Sequence, residues 1–188
     1  MNIHKNEKGF SYIDTMIGLV ILLVGILALA AAVTTSVIRS REGEQQLIAK
    51  QLANSTLESI FSARDIRLND VDGWNSIGNV GTNPVNGVPQ GLFVIGLTPI
   101  RASAGSDGII GTPDDACAGT GPCCVNSICN SSAVLTGFTR QITITDINDP
   151  QRPTPPWPIM MRRVDIAITY WAGTNQRQEN ISTIMTSY

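Results

Sequence analysis

Histidine is almost absent from this chain, which contains one copy, His4, within its first nine residues. Histidine is the side chain that most often serves as a general base, and its scarcity argues against most forms of acid–base catalysis. Ser and Asp are scattered through turn-rich segments, and no nucleophile motif accompanies them. We therefore expect a protein that is not an enzyme.

Charged residues are also few, at 15% of the chain, and the net charge is −2. A surface that grips a phosphate backbone needs an excess of Lys and Arg, so no nucleic-acid partner is predicted. Between Thr15 and Ile38 no residue is charged, and most positions are Ile, Leu, Val, Ala, Met or Gly. At ~1.5 Å per residue this stretch is long enough to cross a hydrocarbon core of ~30 Å. The sequence predicts a transmembrane segment over residues 10–38.

Cysteine is confined to one polar segment, which holds Cys117, Cys123, Cys124 and Cys129. An even number of clustered cysteines suits an oxidising compartment and predicts two disulfides. The alternative is a zinc site, but structural zinc sites usually combine two well-separated cysteine pairs. Adjacent cysteines rarely bond to each other because the geometry is strained, so Cys123 and Cys124 are expected to pair with Cys117 and Cys129.

The helical pattern continues beyond the apolar segment. Apolar or small residues recur every four positions, and a neighbouring row extends the same face: Ile48, Leu52, Thr56 and Ile60, then Leu57 and Phe61. This spacing is typical of an amphipathic helix with one face on a folded domain. We predict one long helix from about Phe10 to about Arg64.

Strand patterns dominate the second half of the chain. The candidates are the apolar run Leu92–Leu97 and the alternating segments Phe138–Ile147, Arg163–Trp171 and Arg177–Thr186. In the third, Val164, Ile166, Ile168 and Tyr170 share one face, and a Gly-Thr-Asn turn after Ala172 forms a hairpin with the fourth. Residues 69–91 are predicted as loop, and loops 101–132 and 148–158 interrupt the strands. The expected fold is α+β: the long helix packs on an antiparallel sheet of about four strands, within a domain of residues 39–188.

Two loop segments carry candidate binding residues. Asp107, Asp114 and Asp115 lie among glycines, and oxygen ligands in a tight loop suit calcium. The spacing does not match an EF-hand, and solvated turn aspartates are the favoured alternative, with no cofactor. Five prolines surround Trp157 in the second loop. We favour a stiff crossover whose Trp packs on the sheet over an exposed recognition surface.

The N-terminal segment GFSYIDTMIGLVILLVGILALAAA resembles the N-terminus of type IV prepilins and type II secretion pseudopilins. The resemblance implies that residues 1–9 are a leader, which prepilin peptidase removes between Gly9 and Phe10, and that Phe10 becomes N-methylated. Asp14 then occupies the fifth mature position, where the family almost always has Glu. The C-terminal hairpin also looks like the last strands of minor pilins of the PilV type.

The resemblance implies a type IV pilin-like fold and a structural minor pilin that joins or primes a type IV pilus. Its expected partners are other pilin subunits, prepilin peptidase and the inner membrane. The chain would be a single-pass protein with its C-terminal domain outside the cytoplasm, and would later enter a filament at the cell surface. The alternatives are a minor pseudopilin of a type II secretion system and a membrane-anchored binding module that does not polymerise.

Physical arguments give Asp14 a specific role in this scheme. A carboxylate one turn into an apolar helix costs a few kcal/mol or more if it stays unpaired in lipid. After cleavage the nearest cation is the new α-amine of Phe10, in the same or a neighbouring subunit. Gly18, Gly25 and the run Ala28–Ala32 would let such helices approach closely. We therefore predict that Asp14 acts in assembly.

Overall fold

The computed structural model of the chain describes residues 11–66, 73–116, 124–125, 128–129 and 132–187. Contacts within the chain define two compact units, Met1–Gly43 and Glu44–Tyr188. Helix α1 (Tyr12–Ile66, 55 residues) contributes residues to both units. The prediction of one long N-terminal helix is confirmed, although its first expected residue, Phe10, lies outside the described residues.

In the first unit, the large apolar side chains of α1 are exposed in the single chain. The most apolar 18-residue window of the helix has a mean hydropathy of 3.0, and 0% of it is buried. The core helix of a soluble protein would be mostly buried, whereas this window packs against no part of the described chain. Within the part of the chain that the structure describes, it is the one helix long and apolar enough to cross a membrane.

In the second unit, the buried stripe of α1 differs from the one predicted. The buried positions alternate in steps of four and three residues: Ala49, Ala53, Thr56, Ile60 and Ala63. Ile48 and Leu52, which the sequence places at the centre of the stripe, are only half-buried. Alanine has no bulk beyond Cβ, so the helix backbone can lie close to the core while the larger side chains fill the flanks.

Eight short and long strands are described: β1 (Pro84–Val85), β2 (Val88–Pro89), β3 (Thr98–Arg101), β4 (Cys124–Val125), β5 (Ile128–Cys129), β6 (Val134–Ile147), β7 (Met161–Ala172) and β8 (Asn175–Thr186). The main sheet has four antiparallel strands in the order β3–β6–β7–β8. The pairs β1–β2 and β4–β5 form separate two-stranded ribbons. The predicted α+β fold with a sheet of about four strands is therefore confirmed.

The core lies between the inner face of this sheet and the second half of α1. Val164, Ile166, Ile168 and Tyr170 alternate along β7 and are all buried, as their period-2 spacing predicts. They share one apolar cluster with Ala49, Ala53, Ile60 and Ala63 of α1 and with residues of β6, β8 and the loops. Gly173 and Thr174 join β7 to β8, so the turn is one residue shorter than expected, and Asn175 already pairs with Ala172.

The run Leu92–Leu97 is not a strand, and this prediction is wrong. Its backbone bonds to groups outside the sheet: the Leu92 N–H donates to Ser76 O (3.2 Å), at the end of a short helix, and the Val94 N–H donates to Gly111 O (2.9 Å), in a loop. Gly96 then adopts a left-handed conformation (φ 85°) that interrupts extended backbone, and the strand begins at Thr98 instead. The apolar character of the run reflects core packing, because Phe93 is fully buried.

The segment predicted as loop before this run contains ordered structure in its described part. A short helix, α2 (Gly73–Ser76), carries Trp74, whose Nε1–H donates to Ile159 O (2.7 Å). The Arg162 guanidinium lies 4.6 Å from the centre of the Trp74 ring and donates to Ile77 O (2.8 Å). These contacts attach the segment to the end of the sheet.

Candidate functional site

The N-terminal end of α1 is the first candidate site. Gly9 and Phe10, the residues expected at the processing site, lie outside the described residues. Asp14 lies in the first turn of α1, and its Oδ2 accepts a hydrogen bond from the Ser11 N–H (3.3 Å). The Asp14 N–H in turn donates to Ser11 O (2.9 Å). The carboxylate thus closes the first turn and lies where the helix dipole favours negative charge.

The second candidate site is the loop that contains Asp107 and Asp114. Hydrogen bonds from its own side chains hold this loop together. Asp114 Oδ2 accepts from the backbone N–H groups of Ser106 (2.7 Å) and Asp107 (3.1 Å), and Oδ1 accepts from Thr112 Oγ1 (2.6 Å). Asp107 Oδ1 accepts from the Ile109 N–H (2.8 Å). Burial alone would raise the pKa of Asp114, but the hydrogen bonds from Thr112, Asp107 and Ser106 outweigh it and lower that pKa.

Asp115 connects the same loop to the sheet. Its Oδ2 accepts from Arg140 Nη2 (2.9 Å) and from the Gly111 N–H (2.8 Å). The two charged side chains are only 10% and 3% exposed. Burial raises the pKa of Asp115 and lowers that of Arg140, and the attraction between the charges offsets these shifts only in part. This ion pair is therefore a buried structural contact.

The three aspartates of the predicted calcium loop all have partners within the protein. Calcium takes six to eight oxygen ligands, whereas Asp107 and Asp114 accept hydrogen bonds from their own loop and Asp115 pairs with Arg140. Across the described residues, no group of three His, Cys, Asp or Glu side chains could hold a metal ion. Arg140 is a residue of this site that the sequence patterns did not identify. The sequence signal for its buried role is that a charged residue lies on the apolar face of β6, between Phe138 and Ile142.

A cavity of about 490 Å³ lies beside the ion pair. Its walls are mainly apolar and include Val80, Val94, Ile95 and Pro99. Asp115 Oδ1 and Arg140 Nε are buried atoms without a hydrogen-bond partner in the protein. Asp115 and Arg140 also line the cavity, together with Arg101 and Thr112. The cavity offers contact area with few directional contacts.

The cysteine segment is described only at Cys124 and Cys129; Cys117 and Cys123 lie outside the described residues. Cys124 of β4 and Cys129 of β5 are directly opposite each other in the antiparallel ribbon. Opposed Cα atoms in such a ladder lie about 4.5–5.5 Å apart, which is within the range of about 4.4–6.8 Å for disulfides. The register therefore suits a bond between these two residues.

Two tryptophans of the second unit are exposed. Trp157 in the proline-rich loop is 52% exposed, so the expectation that it packs on the sheet is wrong. Its backbone N–H bonds to Pro153 O (3.3 Å), within the loop itself. Trp171 of β7 is also 52% exposed, because it follows the buried Tyr170 and period-2 alternation directs it to the outer face of the sheet.

Comparison with models of protein families, with curated proteins and with solved structures gives no match to this chain.

Proposed function

We propose that this chain is a structural minor pilin, without enzymatic activity, that joins or primes a type IV pilus. The observation that carries the proposal is the composition of α1. One helix combines an exposed apolar half, with Asp14 in its first turn, and a half whose alanine-rich stripe packs in an α+β domain. This combination suits a subunit that is first a membrane protein and later part of a helical filament core.

The exposed apolar half needs a partner that excludes water. In the membrane, the hydrocarbon core supplies it, and the helix acts as a single-pass anchor in the inner membrane with the C-terminal domain outside the cytoplasm. In a filament, the same half would pack against equivalent helices of other pilin subunits. A Cβ atom added at Gly18 or Gly25 would meet nothing within 4 Å in the single chain, so both positions are open to a neighbour.

Leader processing tests this proposal. Co-expression with a prepilin peptidase should remove residues 1–9, and mass spectrometry of the mature chain should begin at methylated Phe10. Gly9→Leu should block cleavage, because a branched side chain crowds the scissile bond. Gly25→Leu is the matched control: it adds the same side chain within the apolar half and should leave cleavage intact.

A leader retained with wild-type Gly9, or cleavage beyond Ala30, would contradict the minor-pilin proposal. Complementation then separates the pilus from the related machine. A processed chain that restores secretion in a strain lacking a minor pseudopilin, and restores no pili, would assign it to a type II secretion system instead.

A further inference from the structure

The outer face of the main sheet forms a continuous polar surface. Between Arg163 and Trp171 of β7 it comprises alternate residues of the three long strands: Thr139, Gln141, Thr143 and Thr145 of β6; Arg163, Asp165, Ala167, Thr169 and Trp171 of β7; and Gln176, Gln178, Asn180, Ser182 and Ile184 of β8. We call this set the outer sheet face. The apolar pair Ile147 and Met161 continues the same alternation at one end. Helix α1 contributes to the core on the opposite side of the sheet.

The outer sheet face is neutral because its two charges pair with each other. Arg163 Nη2 lies 2.9 Å from Asp165 Oδ1, and Ser182 Oγ donates to the same carboxylate oxygen. The remaining polar groups are side-chain amides and hydroxyls, which both donate and accept hydrogen bonds. Gln178 Nε2, for example, donates to Asn180 Oδ1 (2.8 Å).

Two grooves follow this face along β7. One, of about 360 Å³, is lined by Gln141, Asp165, Ala167 and Asn180 among others. The other, of about 260 Å³, is lined by Thr139, Thr169, Trp171 and Gln176 together with the first residues of β6. The short side chain of Ala167 lies between the longer Gln141 and Asn180, which are its partners on either side.

The two grooves together span the part of β7 from Arg163 to Trp171. Eight residue steps in a strand cover about 26 Å at about 3.3 Å each. Trp171 lies near one end with 52% of its surface exposed. An exposed indole ring is a large flat apolar surface with one N–H donor, which suits a ligand that is apolar on one face and polar at its edge.

We propose that the outer sheet face binds a linear neutral glycan. A pyranose ring stacks its C–H face on Trp171, and hydroxyl groups of the following sugars bond to the amides and hydroxyls of Gln141, Gln178 and Asn180. The absence of net charge on this face disfavours nucleic acids and charged polysaccharides, which need an excess of opposite charge. Its polar composition disfavours an apolar protein partner. The inference does not depend on the proposed pilus function.

Glycan binding is tested with the full chain, purified in a detergent without a sugar head group, since such a head group would compete. Probes are an array of neutral polysaccharides, with cellohexaose, chitohexaose and maltohexaose for titration by calorimetry. We expect at least one neutral glycan to bind. Trp171→Ala should raise its Kd at least tenfold, and Trp171→Phe, which keeps an aromatic ring, should raise it less.

Trp157→Ala is the matched control, because Trp157 is equally exposed but lies in the proline-rich loop. It should leave the Kd unchanged. Gln141→Ala and Asn180→Ala should each raise the Kd without altering thermal unfolding, which separates lost contacts from lost folding. Dextran and dextran sulfate, compared at equal chain length, report whether charge adds affinity.

Three results would overturn the glycan proposal. The first is that no neutral glycan on the array binds the folded wild-type chain. The second is that dextran sulfate binds more tightly than every neutral glycan, which would indicate an anion site. The third is that Trp171→Ala changes only the sedimentation of the protein, which would make this face a contact between copies of the chain.

Discussion

At the scale of single residues, the Asp115–Arg140 ion pair makes the sharpest energetic prediction. Both side chains are almost fully buried, and Asp115 Oδ2 also holds the Gly111 N–H. Asp115→Asn keeps an acceptor for Gly111 but leaves the guanidinium of Arg140 buried without a counter-charge. We expect it to lower the free energy of unfolding by about 3–5 kcal/mol, the range found when one partner of a buried pair is removed.

The double variant separates the ion pair from its surroundings. Arg140→Met should also destabilise the protein, because it leaves the Asp115 carboxylate buried without a counter-charge. The double variant, Asp115→Asn with Arg140→Met, should lose less free energy of unfolding than the sum of the two single variants. The exposed pair Arg163–Asp165, with side chains 58% and 34% exposed, is the control, and Asp165→Asn should cost about 0–1 kcal/mol. Denaturant unfolding followed by tryptophan fluorescence measures all four. If Asp115→Asn and Asp165→Asn lower the free energy of unfolding equally, burial of the Asp115–Arg140 pair does not explain its contribution.

The residues of this pair also show where sequence reasoning stops. An arginine in the alternating pattern of β6 lies on the apolar face, which indicates a buried partner, but alternation does not say which acid supplies it. Asp107, Asp114 and Asp115 follow one another in a short segment, and their separate roles depend on loop geometry. Tertiary packing decides which carboxylate pairs with the arginine of the sheet. The sequence therefore predicted the cluster of aspartates but not the partner of each one.

At the scale of elements, periodicity predicted the long strands and the long helix well. β6, β7 and β8 each include the segment expected from period-2 alternation, and longer ladders extend them at the ends. The strand prediction for Leu92–Leu97 was wrong because a short apolar segment without alternation does not distinguish a strand from a buried loop. The ribbon β1–β2 lies in a segment predicted as loop, although its turn has a sequence signal: Asn86-Gly87 is a typical two-residue hairpin turn, and both residues have positive φ.

The ribbon β4–β5 predicts how the cysteines pair. Because Cys124 and Cys129 are opposed in its register, we expect a disulfide between them, which leaves Cys117 to bond with Cys123. Peptide mapping of the exported chain under non-reducing conditions should find the 124–129 and 117–123 linkages and no free thiol. Cys124→Ser combined with Cys129→Ser should leave the other bond intact.

The alternative connectivities give distinct peptides. A Cys117–Cys124 bond with a Cys123–Cys129 bond would mean that the register of the ribbon does not direct oxidation. Stoichiometric zinc bound to four free thiolates would instead restore the metal interpretation, and reduction of the protein would then leave the mass of the metal-loaded chain unchanged.

At the scale of the whole molecule, the chain divides into a unit that lacks a core and a unit that has one. Among the described residues, the second unit contains a cluster of buried apolar side chains, whereas the apolar residues of 12–43 are exposed. Composition along the sequence predicted this contrast, because uncharged aliphatic residues are concentrated near the N-terminus. The identity of the partner that covers the apolar half depends on the assembly. The periodicity of a single chain does not predict it.

Asp14 is the residue through which that assembly can be tested, because two roles are open to it. Within one chain it accepts from the Ser11 N–H and closes the first turn of α1. In the proposed filament it pairs with the α-amine of Phe10. Asp14→Asn keeps the acceptor for Ser11 and removes the charge, so it separates these roles. If pairing matters, Asp14→Asn and Asp14→Ala should both be cleaved normally yet enter filaments poorly, while Asp14→Glu, the usual family residue, should be tolerated.

Immunoblots of sheared surface filaments against the membrane fraction measure incorporation of these variants. If only the hydrogen bond from the Ser11 N–H matters, Asp14→Asn should enter filaments at wild-type levels and Asp14→Ala should not. If both variants enter normally, neither role limits assembly, and the carboxylate is better described as a residue that reaches the lipid head groups without a protein partner. Reduced entry of both, with Asp14→Glu restored, leaves charge pairing as the account that explains a carboxylate in this apolar helix.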